Sequence, residues 1–198
     1  MAPNVPSLKA TLFQLTADRI AELVASGRLS QAELERRLRP EDLQYLGKKL
    51  AASSWVPVKS VVRIQQILIE LAAGHSPEES IRAEGERGAA VIHKLGLYKQ
   101  FEASPDRHGA NLGKILLTFA SVAYNFSRWS FTPAGDDGSP ARITVDDALE
   151  FHDTFRTATE GFISYMWRVT QKTDPVVEST RPHPDQIVFT IREKSARQ

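Results

Sequence analysis

The rhythm of apolar residues changes once along this chain, near residue 125, and that change limits the available folds more than any other feature. Up to Ala123, apolar side chains recur every three or four residues. They form the sets Ile20, Leu23 and Val24; Leu34 and Leu38; Val61, Ile64, Leu68 and Leu71; and Leu112, Ile115, Leu116, Phe119 and Val122. This is the spacing of one helix face. From Phe126 the period falls to two. Phe126–Thr132 alternates polar and aromatic residues, Ala141–Val145 is short and β-rich, VVEST is strand-like, and Gln186–Ile191 sets Ile187, Phe189 and Ile191 against Val188 and Thr190. One helical stretch returns between these runs, over about 147–171, with Phe151, Phe155, Ala158, Phe162 and Met166 on one face. Helices followed by strand, strand, helix, strand, strand predict an α+β fold, because the two kinds of element are segregated. The four strands are expected in one antiparallel sheet with the Phe-rich helix over its apolar face, since neither hairpin is stable alone.

Punctuation residues set the boundaries. A first helix runs from Thr16 and stops at Gly27. Ser30 with Glu33 forms a capping-box pattern opening a second, which Pro40 interrupts. A further turn or two fits between Glu41 and Leu50, and Pro57 biases Val56 toward extended geometry. A helix over Lys59–Ala73 follows. Ser76, Pro77 and Glu79 mark a helix start, with Gly96 as its stop. Ser104–Gly109 reads as a loop, and a buried helix spans Asn111–Ala123. Residues 1–198 are expected as one domain, with a helical lobe over 8–124, a sheet lobe over 125–192, and loose termini at 1–7 and 193–198. No internal repeat or low-complexity block is present.

Composition removes several function classes. With 41% hydrophobic and 25% charged residues the chain has ordinary globular usage. Lys+Arg 25 against Asp+Glu 24 gives net +1, too little for a global field toward a nucleic-acid backbone. The absence of cysteine excludes disulfides, thiolate metal sites and cysteine nucleophiles. No stretch approaches the ~20 apolar residues of a membrane span, and no signal-like segment opens the chain, so a cytoplasmic location is expected.

Motifs for catalysis are missing. GANLGKI at 109–115 resembles a phosphate loop, but its glycines are one residue too close and Ile115 replaces the hydroxyl that would hold magnesium. GERGAA at 85–90 lies inside a helical pattern, not between strand and helix. His75, His93, His108, His152 and His183 show no pairing for metal, and His152 and Asp153 are adjacent on a helix, where side chains do not face each other. The carboxylate pairs Glu78–Glu79, Asp136–Asp137 and Asp146–Asp147 sit at helix starts or turns, where capping accounts for them. No serine has a nucleophile elbow. Arg36, Arg37, Arg39, Lys48 and Lys49 are interleaved with Glu33, Glu35, Glu41 and Asp42, the pattern of a solvated mixed-charge face. No catalytic residue, metal site or cofactor is expected, haem and zinc included.

Aromatic residues carry the remaining signal. Trp55, Tyr124, Arg128 and Trp129 are the candidate ligand-binding residues, because an arginine among rings can fix an anionic head while the rings cover an apolar body. The expected function is a non-enzymatic regulatory or sensory module, working as a dimer and binding a small hydrophobic or anionic ligand or a protein partner. An enzyme assembled from scattered Arg, His and Asp residues and a DNA-binding regulator stay open as alternatives.

SSWVPVKSVVRIQQILIEL, GLYKQF, YNFSRWSF, EGFISYMWRV and STRPHPDQIVFTI resemble a paralogous family of about this length that is abundant in myxobacteria, over Leu43 to Ile191. The element order also resembles the superfamily of haem nitric-oxide-binding and four-vinyl-reductase-like regulatory domains. That resemblance implies a ligand-sensing fold without assured catalysis. In the haem domains a helical histidine holds iron and a Tyr-x-Ser-x-Arg motif holds the propionates. Here His93 precedes Tyr124, Ser127 and Arg128, whose spacing is Tyr-x-x-Ser-Arg, a departure from the motif.

Overall fold

The structure, a computed structural model, describes residues 5–71, 76–94, 96 and 109–194. The chain divides into two compact units, one holding residues up to Pro77 with Ala123–Asn125, the other Glu78–Val122 and the residues from Phe126. The division therefore falls at Pro77, and the two helices after it group with the sheet.

In the first unit, β1 (Ser7–Lys9) leads directly into α1 (Ala10–Ala25), followed by α2 (Gln31–Arg37), α3 (Pro40–Leu43), β2 (Trp55–Pro57) and α4 (Val58–Glu70). The expected stop at Gly27 is present, at φ 72°, and Ser30 caps α2 by accepting from the Glu33 N–H at 3.1 Å. α1 starts at Ala10, ahead of the expected Thr16. Its N-cap, Lys9, makes no side-chain cap; instead the Ala10 N–H donates to the Ser54 carbonyl at 3.0 Å, a contact from far along the chain. The β1–β2 ribbon has no counterpart among the expected elements. Its register pairs Ser7 with Pro57, Leu8 with Val56 and Lys9 with Trp55, and Tyr124 bridges Leu8 from the other side. Ser7, expected in a loose arm, is buried because Asn125 Oδ1 accepts from its N–H at 2.7 Å and Asn125 Nδ2 donates to the Val5 carbonyl at 3.0 Å. Phe13, Ile20 and Leu23 of α1 share this core with Val61, Ile64 and Ile67 of α4.

The second unit holds α5 (Pro77–Lys94), α6 (Ala110–Ala123), β3 (Arg128–Thr132), β4 (Ala141–Asp146), α7 (Asp153–Gln171), β5 (Pro175–His183) and β6 (Gln186–Glu193). The strands form one antiparallel sheet in the order β3-β4-β6-β5, the α+β arrangement expected. Ile143 opposite Phe189 and Val145 opposite Ile187 place the buried residues of the central strands on one face. α7 begins later than the expected 147: Asp147 takes φ 56°, a left-handed conformation that ends the strand in a turn, and His152 caps the helix, Nδ1 accepting from the Thr154 N–H at 3.1 Å. The aromatic face of α7 is divided. Phe155 meets Phe151 edge-on, whereas Phe162 stacks on Phe119 of α6 at 5.1 Å between centroids. Two glycines let the start of α6 sit close: a Cβ at Gly113 would overlap the Phe131 ring, and one at Gly109 would lie 2.9 Å from Trp167. The expected loop at 104–108, His75, His108 and most of GLYKQF lie outside the described residues.

Candidate functional site

Each strand's alternation decides where the four candidate residues point. Trp55, paired with Lys9 across the ribbon, carries the Lys9 ammonium 3.9 Å from its ring centroid. Tyr124 bridges Leu8 and so faces with Leu8 and Val56, both buried. Burial pushes the Tyr124 phenol well above its usual range. Within the first unit the structure therefore puts Trp55 and Tyr124 on opposite faces of the ribbon. In the second unit, consecutive Arg128 and Trp129 also point to opposite faces. Trp129 stacks on Phe189 at 6.3 Å, meets Phe151 edge-on at 5.9 Å, and donates its indole N–H to Ser127 Oγ at 3.0 Å. Arg128, with 76% of its side chain exposed, pairs with Asp147 at 2.6 Å.

A polar cluster among the described residues lies elsewhere, around Glu160 on α7. This carboxyl, in a residue 4% exposed, accepts from Arg82 of α5 and from the Ser179 hydroxyl of β5. Arg156, one helical turn earlier, stands 3.9 Å away and donates to Ser179 Oγ at 2.7 Å. Nearby, Arg181 donates to the carbonyls of Ala148 and Phe151 at 3.1 and 2.5 Å, holding the turn before α7 against β5. A buried carboxylate with two cations and a hydroxyl is satisfied; its chemistry is that of a fastening between three elements. The sequence holds a signal for it in Glu160-Gly161, a charge and a glycine inside a helix otherwise rich in apolar and small residues, both unusual there.

Asp42 corrects the reading of the basic cluster. Arg37 pairs with Glu33 and Glu70, and Arg39 with Glu41, as a solvated face requires. Asp42, however, is fully buried, bonded by Arg63 through Nε and Nη2 at 2.6 Å each and accepting from the Arg39 N–H at 3.1 Å. Burial pushes its pKa up, but the hydrogen bonds from Arg63, Ser60 and Arg39 outweigh that and hold the carboxyl below its ordinary range. Among the described residues, no group of three His, Asp or Glu side chains could hold a metal ion, and no helix is long and apolar enough to cross a membrane.

No family model matches the chain, and no curated protein matches it. Solved structures do. A mutant H-NOX protein from K. algicida, in the unliganded Fe(II) form, superposes with a TM-score of 0.62 at 9% identity over 96% of this chain and 98% of that one. A mutant of T. tengcongensis H-NOX gives 0.60 at 13% over 95% and 98%, and an S. oneidensis H-NOX protein in the Fe(II)NO state gives 0.58 at 11% over 95% and 100%. The fold is that of the H-NOX domains. The expected resemblance is thus present in the backbone, at identities that carry the fold alone.

The described residues do not fit the haem contacts that an H-NOX resemblance implies. His93 Nδ1 lies 3.1 Å from the Tyr165 hydroxyl, with the two rings edge-on at 5.9 Å, so the imidazole is held against α7. His152 serves the α7 cap. Ser127 accepts from Trp129, Arg128 is held by Asp147, and Tyr124 belongs to the buried face of the ribbon. Within the second unit, serine and arginine thus serve separate contacts, one with Trp129 and one with Asp147.

Proposed function

We propose that this chain is a non-enzymatic sensory or regulatory module that uses an H-NOX fold to bind a small hydrophobic or anionic ligand, with a protein partner or a second copy reading the result. The observation that supports it is the backbone likeness to H-NOX domains, at TM-scores of 0.62, 0.60 and 0.58 over 96, 95 and 95% of the chain. Those proteins are described by iron and its ligation states; this chain keeps their architecture while its described residues make other contacts.

The proposed ligand contacts are Trp55, Tyr124, Arg128 and Trp129, with roles divided by their surroundings. Arg128 is the exposed cation, able to exchange Asp147 for an anionic head. Trp55, Tyr124 and Trp129 each offer a half-buried ring. Tryptophan fluorescence titration with lipid, tetrapyrrole and nucleotide panels tests this assignment. Anionic hits should weaken about tenfold or more in Arg128→Ala, the loss of one charge-assisted contact. If that variant stays folded and binds every hit as wild type does, Arg128 is not in the site. Native mass spectrometry of protein from its own host reads retained ligand and subunit number together.

A further inference from the structure

The two edges of the sheet are finished differently. Its strand order, β3-β4-β6-β5, leaves β5 at one side and β3 at the other. β5 is closed to further pairing. Arg82 and Arg156 donate to the carbonyls of Val177 and Ser179 on its open side, each at 3.4 Å. Pro175 and Pro182 have no N–H to offer, and the register with β6 shifts between Thr180 and His183. These are the means by which an edge is kept from adding a strand. β3, in contrast, has no proline between Arg128 and Thr132 and pairs with β4 without a register shift over its whole length. Along it two half-buried rings, Trp129 and Phe131, alternate with the exposed Arg128, Ser130 and Thr132.

The occupant that fits this edge is β3 of a second copy. Two antiparallel copies of the strand overlap in full in one register, that centred on Ser130. In it Trp129 meets Phe131 of the second copy and Phe131 meets Trp129 of the second copy, an aromatic pair on each side of the axis. Arg128 meets Thr132 of the second copy, and Ser130 lies on the axis against its own counterpart. Rings therefore stay on the inner face of the sheet and polar side chains on its outer face, as continuation of the pleat requires. The backbone alternation agrees. Because Val177 and Ser179 turn their carbonyls out of the sheet, stepping through the registers of β6 and β4 turns the backbone groups of Arg128, Ser130 and Thr132 toward β4. Ser130 and its counterpart are then a non-hydrogen-bonded pair, the kind whose side chains lie closest together.

We infer that β3 pairs antiparallel with β3 of a second copy across a two-fold axis at Ser130, an isologous contact that joins two four-stranded sheets into one. The strand supplies far fewer than the roughly 20 residues a side of a standard interface. The dimer is accordingly weak and concentration-dependent, with a Kd of about 10–100 µM. Arg128 ends the strand, so pairing brings the proposed anion contact to the border between copies. That link to sensing rests on the function proposed above. The pairing itself is measured without ligand, so its failure and that of the Arg128 assignment are separate results.

Sedimentation velocity of the full chain should show monomer passing to dimer between about 5 and about 500 µM. Like charges directly opposite each other are destabilising, so S130K and S130E, each on the exposed face, should keep wild-type circular dichroism and pair about tenfold or more weakly. Mixing the two in equal amounts should restore the dimer, because opposite charges then meet across the axis. The chain has no cysteine, so S130C carries a single thiol. Under mild oxidation it should cross-link into dimers about tenfold or more faster than T180C, placed on the closed edge. A wild type that stays monomeric throughout that range would overturn the inference. So would a dimer that S130K and S130E leave intact, or equal cross-linking of S130C and T180C.

Discussion

A single buried carboxylate shows how one residue can fix two helices. Asp42 accepts from the N-cap N–H of α3 and from both arms of the Arg63 guanidinium on α4, so it orients the short α3, which has too few residues to stand alone. Removing one partner of a buried pair leaves the other desolvated, a loss of about 3–5 kcal/mol. Arg63 keeps 28% side-chain exposure, and water can partly replace the carboxylate, so Asp42→Ala should cost about 3 kcal/mol in denaturant unfolding. The pH dependence has a definite sign. The folded-state pKa of Asp42 lies below its unfolded value of about 3.9, so the pair contributes fully above that value and is lost as pH falls through the folded one. Stability measured from about pH 6 down to about pH 2 should therefore fall less steeply in Asp42→Asn than in wild type, and identical slopes would show that the pair is not linked to folding. Nothing local in the sequence separates Asp42 from Glu41 beside it; the difference is Arg63, 21 residues away.

Among the elements, those built from local pattern are legible in the sequence and those built by distant partners are not. The α2 cap, the α5 start at Pro77 and the four sheet strands follow from capping residues and period. Periodicity alone starts α1 too late, because the Ser54 carbonyl, not a side chain at the helix's own terminus, receives its first N–H. β1 and β2 are three residues each and exist through pairing between segments far apart in the chain, which no window of sequence reveals. The single aromatic face expected for α7 is likewise split by its neighbours. Phe155 lies in the core at 5% exposure, and Phe155→Ala should cost about 3–5 kcal/mol. Phe162 is half-buried against Phe119, and Phe162→Ala should cost about 2 kcal/mol, in proportion to the smaller area it covers. Urea midpoints decide this: equal losses would place both rings in one core, and wild-type midpoints in both variants would place that helix face on the surface.

At the scale of the molecule, fold and site come apart. Backbone superposition on H-NOX domains needs only the element order and the buried face of each element, and these tolerate identities of 9 and 11% because many apolar residues of similar volume fill a core. A haem site needs particular donors at particular places, and no substitution by a similar volume preserves it. In this chain the histidine that the sequence offers from α5 meets Tyr165, and the residues of the altered Tyr-x-x-Ser-Arg run are divided among Trp129, Asp147 and Leu8. Swinging His93 away from α7 toward iron would break its contact with Tyr165. Gathering Ser127 and Arg128 on one propionate would require turning a β-strand side chain to the opposite face, a change that takes a slip of register. Titration of the purified full chain with ferric haem should accordingly give no ligand-field spectrum that depends on His93 or Arg128. His93→Ala and Arg128→Ala should match wild type in Soret position and intensity, and Tyr165→Phe, which frees the imidazole from its hydroxyl partner, should leave the spectrum unchanged as well. A Soret band present in wild type and lost in His93→Ala would show that the contacts rearrange around the macrocycle, and would return this chain to the haem chemistry of the domains whose fold it shares.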